Sequence, residues 1–345
     1  MKVYFFPPKR VLNAPFENPY RDNYMNALSK YSEVLNIKER ARISSVANMM
    51  KYLFKADVFI INWPEDIPMS KFGKIQSLVF IILLFLIKRR KATIIWMFHN
   101  FRYHGIETFF TRLNTKIMYK YADIIIAHSK EAYDFLINDC TFLHTKNVYF
   151  HHHPVKLFEF QNDDFESENN DKTLRKKDVL IWGSISPYKG IVEFLEFIHK
   201  HNLQNSFFIH IIGKCPNQKY AKQIMDLCND KISFENRSVS FEELKIKIRN
   251  YKYTLFPYTG ECVSSSGALI DTIALGGLPI GPNKGAFKDL MEESIALNFE
   301  NYDELITILS NNFKPDEYSR EKFIKNNSWD SFASVLIKEI NGKNT

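Results

Sequence analysis

Polar residues follow several apolar runs in this sequence, and the first such group contains a lysine in an unusual place. The segment Trp182–Gly190 (WGSISPYKG) comes directly after the run DVLIW and leads into an amphipathic pattern. Lys189 is therefore predicted in the first turn of a helix, where a cation gains nothing from the helix dipole. A bound anion explains a lysine at this position, with Gly183 and Ser184 in the same loop. The alternative is an ordinary exposed lysine.

A second group of polar residues opens an apolar helix after the run YTLF. Ser265, Ser266 and Gly267 stand at the predicted start of this helix, and Asp271 lies four residues after the glycine. Backbone N–H groups at a helix N-terminus bind phosphate, and serine and glycine permit a close approach. The carboxylate of Asp271 is then expected to reach the ribose hydroxyls of a nucleotide. The simpler alternative is a serine that caps the helix and nothing more.

The third group lies in the first half of the chain, after the run ATIIWMF. It contains His99, Asn100, Arg102 and His104 in one short loop. A lone histidine is more often structural, but this set at the carboxyl end of a strand favours a functional role. Together the three groups indicate a nucleotide-activated donor held by the second half of the chain, with polar groups on the acceptor side from the first half.

Signatures of other cofactor and metal sites are missing from the sequence. It contains no G-x-G-x-x-G, no G-x-x-x-x-G-K-[ST], no G-x-S-x-G and no D-x-D, which are the motifs of dinucleotide, P-loop, hydrolase and metal sites. Neighbouring side chains in His151–His153 point to opposite faces of an extended segment, which disfavours a metal site there. The four cysteines include no C-x-x-C pair. We therefore expect no metal and no cofactor, and a reducing, intracellular setting.

Short apolar runs alternate with helical patterns along the whole chain, which predicts an α/β protein with parallel sheets. A polar break divides it into an N-terminal Rossmann-like domain (1–160), a linker (161–177) and a second Rossmann-like domain (178–320), followed by a C-terminal helix (321–345). We expect the two domains to face a central cleft. The predicted strands are Lys2–Phe6, Asp57–Asn62, Ala92–Phe98, Asp123–Ala127, Asn147–Phe150, Asp178–Trp182, Phe207–Ile212, Ile232–Glu235 and Tyr253–Phe256.

The net charge of +7 is unevenly distributed along the 345 residues. Residues 1–155 carry 22 Lys and Arg against 12 Asp and Glu, and residues 156–345 carry 24 against 27. The basic half is expected to face an anionic partner, either nucleic acid or a membrane surface. Its most apolar stretch, Ser77–Ile87, is followed by the four cations Lys88–Lys91 and is too short to span a bilayer. Two interpretations remain: a buried core helix, or a helix at an anionic membrane surface.

The order of these motifs resembles the retaining glycosyltransferases of the GT-B fold, in the large group known as family 4, which includes many enzymes of bacterial polysaccharide biosynthesis. Further segments similar to that family are Asn18–Tyr20, Asn62–Glu65, Ala127–Ser129, Gly276, Pro279, Gly285–Asp289 and Ser328–Trp329. In the family, the C-terminal helix packs back toward the first domain. Two positions depart from its pattern: Ser184 replaces a basic residue, and Glu261 lies two residues out of register with the family's first glutamate.

The resemblance implies transfer of a hexose from a nucleoside diphosphate sugar to a saccharide acceptor, with retention and without a metal, in surface polysaccharide or capsule biosynthesis. The implied catalytic residues are His99, Lys189 and Glu261. The implied donor-binding residues are Gly183, Ser184, Lys189, Ser265, Ser266, Gly267 and Asp271, and those on the acceptor side are Asn100, Arg102 and His104.

The basic half suggests a polyprenyl-diphosphate-linked acceptor and a cytoplasmic protein that associates with the inner face of the membrane. Two other functions are kept as alternatives: a nucleotide-sugar epimerase of the same fold, and a basic, nonenzymatic nucleic-acid-binding protein. The sequence contains no recognisable nucleic-acid-binding motif, so no nucleic-acid partner is expected.

Overall fold

A computed structural model of the chain describes residues 1–9, 19–41, 45–99, 107–138, 147–158, 177–260, 263 and 265–342. The chain divides into two compact units, the first formed by Met1–Pro154 with Asn327–Thr345 and the second by Val155–Asn326. Of the predicted linker, residues 161–176 lie outside the described part, and Lys177 is the first residue of a strand.

Each unit contains one six-stranded sheet, and every described strand pair is parallel. The first sheet has the order β2-β1-β3-β4-β5-β6, and the second has the order β12-β11-β10-β7-β8-β9. The predicted α/β fold class, with two Rossmann-like parallel sheets, is confirmed. The strands are β1 (Lys2–Phe6), β2 (Glu33–Val34), β3 (Val58–Asn62), β4 (Thr93–Phe98), β5 (Ile124–Ala127), β6 (Asn147–Phe150), β7 (Lys177–Trp182), β8 (Ile209–Ile212), β9 (Ile232–Glu235), β10 (Tyr251–Leu255), β11 (Pro279–Pro282) and β12 (Leu297–Phe299).

Helices fill the connections between the strands, as parallel strands require a crossover. Two 3₁₀ turns, Pro64–Met69 and Pro187–Lys189, precede α3 and α6. The helices are α1 (Tyr20–Leu28), α2 (Ser45–Met50), α3 (Gly73–Arg89), α4 (Phe109–Tyr121), α5 (Lys130–Asn138), α6 (Ile191–Lys200), α7 (Gln218–Asp226), α8 (Phe241–Asn250), α9 (Gly267–Ala274), α10 (Gly285–Glu292), α11 (Tyr302–Ser310), α12 (Glu317–Asn326) and α13 (Trp329–Gly342).

The first sheet is buried on both faces. Alternate residues of its strands pack on one side against α2, α3, α4 and α5. On the other side they pack against α1 and α13, so the last helix of the chain completes the core of the first unit. Trp329, Phe332, Leu336 and Ile340 of α13 are all buried there. The C-terminal helix therefore supplies core residues to a sheet whose last strand ended at Phe150.

The second sheet is covered in the same way. One face packs against α6, α7 and α11. The other meets α8 near β7 and β8, and a separate cluster of α9, α10 and the segment Phe256–Tyr258 extends this layer. Each predicted strand is present, but β2, β11 and β12 were not predicted. β11 begins and ends with proline, so it resembles a loop in the sequence. The carbonyls of Leu278, just before the strand, and of Ile280 accept from the N–H groups of Thr254 and Phe256, so this pairing does not need the missing proline N–H groups.

The apolar segment Ser77–Ile87 lies in helix α3, for which the sequence left two interpretations: a buried core helix or a helix at a membrane surface. Phe80, Leu83, Leu84 and Ile87 are buried in the first core, which confirms that the segment contributes to it. Its opposite side is exposed. In the described part of the chain, no helix is long and apolar enough to cross a membrane.

Two backbone segments of the second unit approach each other closely beyond the ends of β7 and β8. The Gly183 N–H donates to the Ile212 carbonyl at 3.2 Å, and the Ile185 N–H donates to the Lys214 carbonyl at 3.0 Å. A Cβ atom on Gly213 would lie 1.8 Å from the carbonyl oxygen of Gly183. Only glycine at position 213 leaves room for the Gly183 loop.

Replacing Gly213 with alanine is therefore expected to push this loop away and lower the free energy of unfolding by about 1–3 kcal/mol, the usual effect of overpacking. Denaturant unfolding of the variant measures the change. Gly342→Ala is the matched control, because a Cβ at Gly342 meets no atom within 4 Å. Equal stability of Gly213→Ala and Gly342→Ala would contradict the steric argument.

Candidate functional site

Lys189 lies before helix α6 and not in its first turn, which corrects the sequence prediction. It ends the 3₁₀ turn Pro187–Lys189, and Gly190, in the left-handed region at φ 66°, comes between the turn and the helix. A Cβ on Gly190 would lie 2.1 Å from the Pro257 carbonyl oxygen, so glycine is required there. This turn folds the lysine side chain inward, leaving the residue only 8% exposed.

The buried ammonium of Lys189 faces the Gly183 loop and Tyr258. Its Nζ lies 5.3 Å from the centroid of the Tyr258 ring, and 3.5 Å from where a Cβ of Gly183 would be. Burial lowers the pKa of Lys189, but Tyr258 and Tyr188 together raise it by more than burial lowers it. The pKa of Lys189 therefore lies above its ordinary value. Within the described residues, no carboxylate forms an ion pair with this lysine. The site thus holds a buried positive charge.

The N-terminus of α9 lies beside the same loop. Ser266 caps the helix by accepting from the Leu269 N–H at 3.3 Å, and its Oγ is 3.4 Å from the Tyr258 hydroxyl. Ala268 is 3.6 Å from the position that a Cβ of Gly183 would take. Gly267 is exposed, with open space where a Cβ would be. Ser266 caps the Leu269 N–H, and the N–H groups of Gly267 and Ala268 also precede the first intrahelical hydrogen bonds of α9, so the helix provides no acceptor for them.

Ser265 and Ser184, which were also predicted to bind the donor, lie at this end of the second sheet. Ser265 is half-buried directly before the cap of α9, whereas Ser184 is exposed in the Gly183 loop. The structure therefore brings Gly183, Lys189, Ser266 and Gly267 together, with Ser265 and Ser184 adjacent to them in sequence.

Asp271 occupies the second turn of α9. Burial raises the pKa of its carboxyl group to about 7, although Lys156 lowers it. Lys156 itself lies with its Nζ 5.1 Å from the Phe158 ring centroid and 5.6 Å from that of Phe241. Near neutral pH, Asp271 is consequently poised between a carboxylic acid and a carboxylate. Sequence reasoning missed Lys156, because no motif marks it.

In the first unit, His99 follows β4 and is buried. Its Nε2 lies 2.9 Å from Oδ1 of Asn62, whose own Nδ2 donates to the Phe6 carbonyl at 2.9 Å. Because the Asn62 amide donates to Phe6, its Oδ1 accepts from His99, which places the ring proton on Nε2. The ring also stacks on Trp63, with centroids 4.5 Å apart and planes at 18°. This leaves Nδ1 as the acceptor of His99.

Three more histidines surround His99 at the carboxyl ends of β5 and β6. His128 lies 5.5 Å, centroid to centroid, from both His99 and His153. Among the described residues, its buried Nε2 has no hydrogen-bond partner. Burial, reinforced by the neighbouring rings, lowers the pKa of His99 to about 3 and that of His153 to about 4. The pKa values of His128 and His151 are also lowered, chiefly by burial. All four are neutral at physiological pH.

The remaining predicted site residues, Asn100, Arg102, His104 and Glu261, lie outside the described residues, as does Asn18. Among the residues that are described, no group of three His, Cys, Asp or Glu side chains is arranged to hold a metal ion. The site residues thus form two clusters: the lysine cluster of Gly183, Lys189, Ser266 and Gly267, and the histidine cluster of His99, His128, His151 and His153. Residues that the structure adds in or around these clusters are Asn62, Tyr258, Lys156, Gly213 and His128. Of these, Asn62 and His128 stood in segments that the resemblance singled out.

Comparison with known proteins gives a consistent fold. No protein-family model matches the sequence, and neither does any curated protein. HepE from Anabaena, solved with UDP and glucose, aligns with a TM-score of 0.62 at 13% identity, covering 100% of this chain and 99% of HepE. The chain has the GT-B fold.

Two further GT-B structures align over nearly the whole chain. Sucrose-phosphate synthase from Thermosynechococcus elongatus gives a TM-score of 0.64 at 12% identity, covering 99% of this chain and 88% of that one. AviGT4, a glycosyltransferase of avilamycin A biosynthesis, gives 0.61 at 12% identity, with coverages of 98% and 96%. In this GT-B chain, both clusters follow the carboxyl ends of parallel strands, where such sheets bind ligands.

The histidine cluster makes the stability of the first unit sensitive to acid. Folding depresses these pKa values, so below pH 6.5 the unfolded chain binds protons that the folded unit does not. Each such group lowers stability by up to about 1.4 kcal/mol per pH unit. We expect the thermal midpoint, followed by the fluorescence of Trp63, Trp96 and Trp329, to fall between pH 6.5 and pH 4.

His153→Phe keeps an aromatic ring in the cluster and is expected to flatten this pH dependence. His201→Phe, which removes an exposed histidine from the second unit, is the matched control. If His201→Phe flattened the dependence as much as His153→Phe, the buried cluster would not be its source.

Proposed function

We propose that this chain is a glycosyltransferase that transfers a hexose from a nucleoside diphosphate sugar to a saccharide acceptor. The observation that carries the proposal is the buried ammonium of Lys189, which has no carboxylate partner among the described residues and lies beside the N-terminus of α9. A buried charge is costly without a counter-ion, so the arrangement calls for an anion. A diphosphate supplies enough negative charge to contact both the lysine and the helix N-terminus.

The structural neighbours support this choice of anion. HepE has been solved with UDP and with UDP-glucose, and TarM from S. aureus with UDP. A diphosphate at the Lys189 cluster would leave the ribose near Asp271 on the same helix. We therefore assign the donor diphosphate to Lys189, Gly183, Ser266 and Gly267, and the ribose hydroxyls to Asp271.

The chemistry assigned to these groups follows from their charges. As the bond from the anomeric carbon to the diphosphate breaks, negative charge collects on the leaving oxygens. Lys189 and the first N–H groups of α9 are fixed in place before that charge develops, so they stabilise it without reorganising. We propose that they do so without a metal ion, and that the sugar is transferred with retention. Glu261 and His99, which the resemblance implies are catalytic, are proposed to contact the donor sugar.

The finer features of the proposal come from the basic first unit. We propose a saccharide acceptor linked to a polyprenyl diphosphate, a place in surface polysaccharide biosynthesis, and a cytoplasmic enzyme that attaches to the inner membrane face. His99, whose Nδ1 accepts no hydrogen bond from the described residues, is assigned to a sugar hydroxyl. An epimerase would use the same donor without an acceptor, so acceptor-dependent release of the nucleoside diphosphate separates the two activities.

Lys189→Ala tests the donor site directly. We expect the variant to lose about 10²–10³-fold in the rate of donor cleavage, because one preorganised contact to the leaving group is gone. It should also lose the thermal stabilisation that UDP, GDP or ADP gives to the wild type. Lys200→Ala, at an exposed position at the end of α6, is the control. Unchanged cleavage and nucleotide binding in Lys189→Ala would refute the proposal.

Asp271 predicts a pH dependence of nucleotide binding. Because its pKa is about 7 in the free chain, the group gains its charge as the pH rises from 6 to 8. A carboxylate accepts ribose hydroxyls more strongly than a carboxylic acid does, so affinity should rise on the order of tenfold. Titration calorimetry at a series of pH values measures this.

Asp271→Asn provides the reference for that titration, since the ionisation of the nucleotide itself affects both proteins equally. The ratio of wild-type to variant affinity is expected to increase with pH. A ratio that stays constant from pH 6 to pH 8 would show that Asp271 does not hold the ribose.

A further inference from the structure

Helix α3 is apolar on its outer side as well as on its core side. Its exposed side chains are spaced at i, i+3, i+7, i+10 and i+11, which forms one stripe about 16 Å long. They are Ile75, Leu78, Ile82, Phe85 and Leu86, with exposed fractions of 62%, 51%, 57%, 46% and 37%. We call these five residues the α3 stripe. A soluble surface helix normally presents polar residues here.

Two exposed aromatic residues extend the α3 stripe at its ends. Phe72 directly precedes the helix and is 69% exposed. At the other end, Phe54 is 78% exposed, and the guanidinium of Arg90 lies 5.5 Å from its ring centroid. Arg90 also donates to the carbonyls of Leu53 and Ala56, which fixes Phe54 next to the end of α3. The apolar surface is therefore longer than the helix face alone.

Cations stand at both ends of the α3 stripe, and the stretch of sequence that carries it contains no carboxylate. Lys71 and Lys74 are exposed at its start, and Arg89 and Lys91 at its end. The sequence has no Asp or Glu between Asp66 and Glu107. The other two cations of the run Lys88–Lys91, which are Lys88 and Arg90, have partners within the first unit.

Lys88 pairs with Asp123 at 2.6 Å, and Arg90 binds the backbone carbonyls of Leu53 and Ala56. The charge that faces solvent consequently flanks the stripe at its two ends, which the sequence run 88–91 did not indicate.

We propose that the α3 stripe docks on an anionic lipid bilayer. The helix would lie in the plane of the interface, with Leu78, Ile82 and Phe85 at the level of the upper acyl chains. Lys71, Lys74, Arg89 and Lys91 have stems long enough to reach the phosphate layer above. This inference deepens the proposed function, on which it rests, by assigning the surface that brings the enzyme to a lipid-linked acceptor.

The charges favour a bilayer over a second copy of the chain. Two α3 stripes packed antiparallel would bring Lys71 and Lys74 of one copy against Arg89 and Lys91 of the other, and parallel packing would juxtapose identical cations. Like charges across an interface oppose association. A bilayer offers an apolar layer beneath a layer of negative charge, which complements the apolar centre and cationic ends of this surface.

Co-sedimentation with vesicles tests the proposal on the full chain without nucleotide. The wild type is expected to bind vesicles of phosphatidylcholine with phosphatidylglycerol, to bind pure phosphatidylcholine at least about tenfold more weakly, and to be released by high salt. The doubles Ile82→Gln/Phe85→Gln and Lys74→Gln/Arg89→Gln should each weaken binding about tenfold or more.

Matched doubles in the second unit serve as controls and are expected to bind like the wild type. Met225→Gln/Ile246→Gln removes two exposed apolar side chains, and Lys219→Gln/Lys222→Gln removes two exposed cations. If the controls lose as much binding as the α3 variants, or if pure phosphatidylcholine binds equally well, the proposal is wrong.

Two further measurements complete the test. Sedimentation velocity should show the same oligomeric state for the wild type and Ile82→Gln/Phe85→Gln, and a dimer lost in the variant would assign the stripe to self-association instead. Thermal shifts induced by UDP, GDP or ADP, measured without lipid, should be identical in both proteins. Absence of a shift with all three nucleotides in the wild type would remove the proposed donor site and leave the lipid surface standing.

Discussion

A parallel sheet has to be covered on both faces, and this requirement shapes both units of the chain. Central strands such as β1, β3, β4, β7 and β8 carry apolar side chains to both sides, so each sheet is buried between two layers of helices. Most of the polar groups described above lie at the strand ends, where the backbone leaves the sheet. The lysine cluster and the histidine cluster both occur there. The same requirement recruits α13 to the first unit, because α1 alone does not cover that face.

The two clusters use burial in opposite ways. In the second unit, burial isolates the positive charge of Lys189, and the nearby tyrosines keep it protonated. In the first unit, burial removes charge from four histidines, and Asn62 fixes the ring proton of His99 through the Phe6 carbonyl. One cluster therefore offers charge and the other offers neutral hydrogen-bonding groups. Under the proposed function, the charged cluster is assigned to the donor diphosphate and His99 of the neutral cluster to a sugar hydroxyl.

Much of this architecture is legible in the sequence, because buried parallel strands form long runs of Ile, Val and Phe. The runs predict the β/α alternation and the placement of Gly183, Lys189, Ser266 and Asp271 after strands. β11 was not predicted, because its two prolines indicate a loop in the sequence. Only the structure shows that the pairing with β10 uses carbonyl acceptors on this side and does not need the missing proline N–H groups. The inward turn of Lys189 depends on tertiary contacts of Gly190, which no local pattern records.

The outer face of α3 and the histidine cluster are also beyond sequence reasoning, for different reasons. The spacing of apolar residues cannot distinguish a fully buried helix from a helix with one exposed apolar face, because both have uniformly apolar sequences. His128 and His153 come from separate strands and meet only through the sheet register. Their pKa values are lowered chiefly by burial in the folded unit and further by the other rings of the cluster.

The return of α13 to the first sheet has a consequence for how the chain is made. Residues 155–326 form one contiguous segment, so a ribosome can deliver the whole second unit before the first has all its parts. The core formed by Tyr20, Tyr24 and the inner face of β1 stays open until Trp329 and Phe332 have emerged. The half of the protein that is translated first is thus the half that finishes folding last.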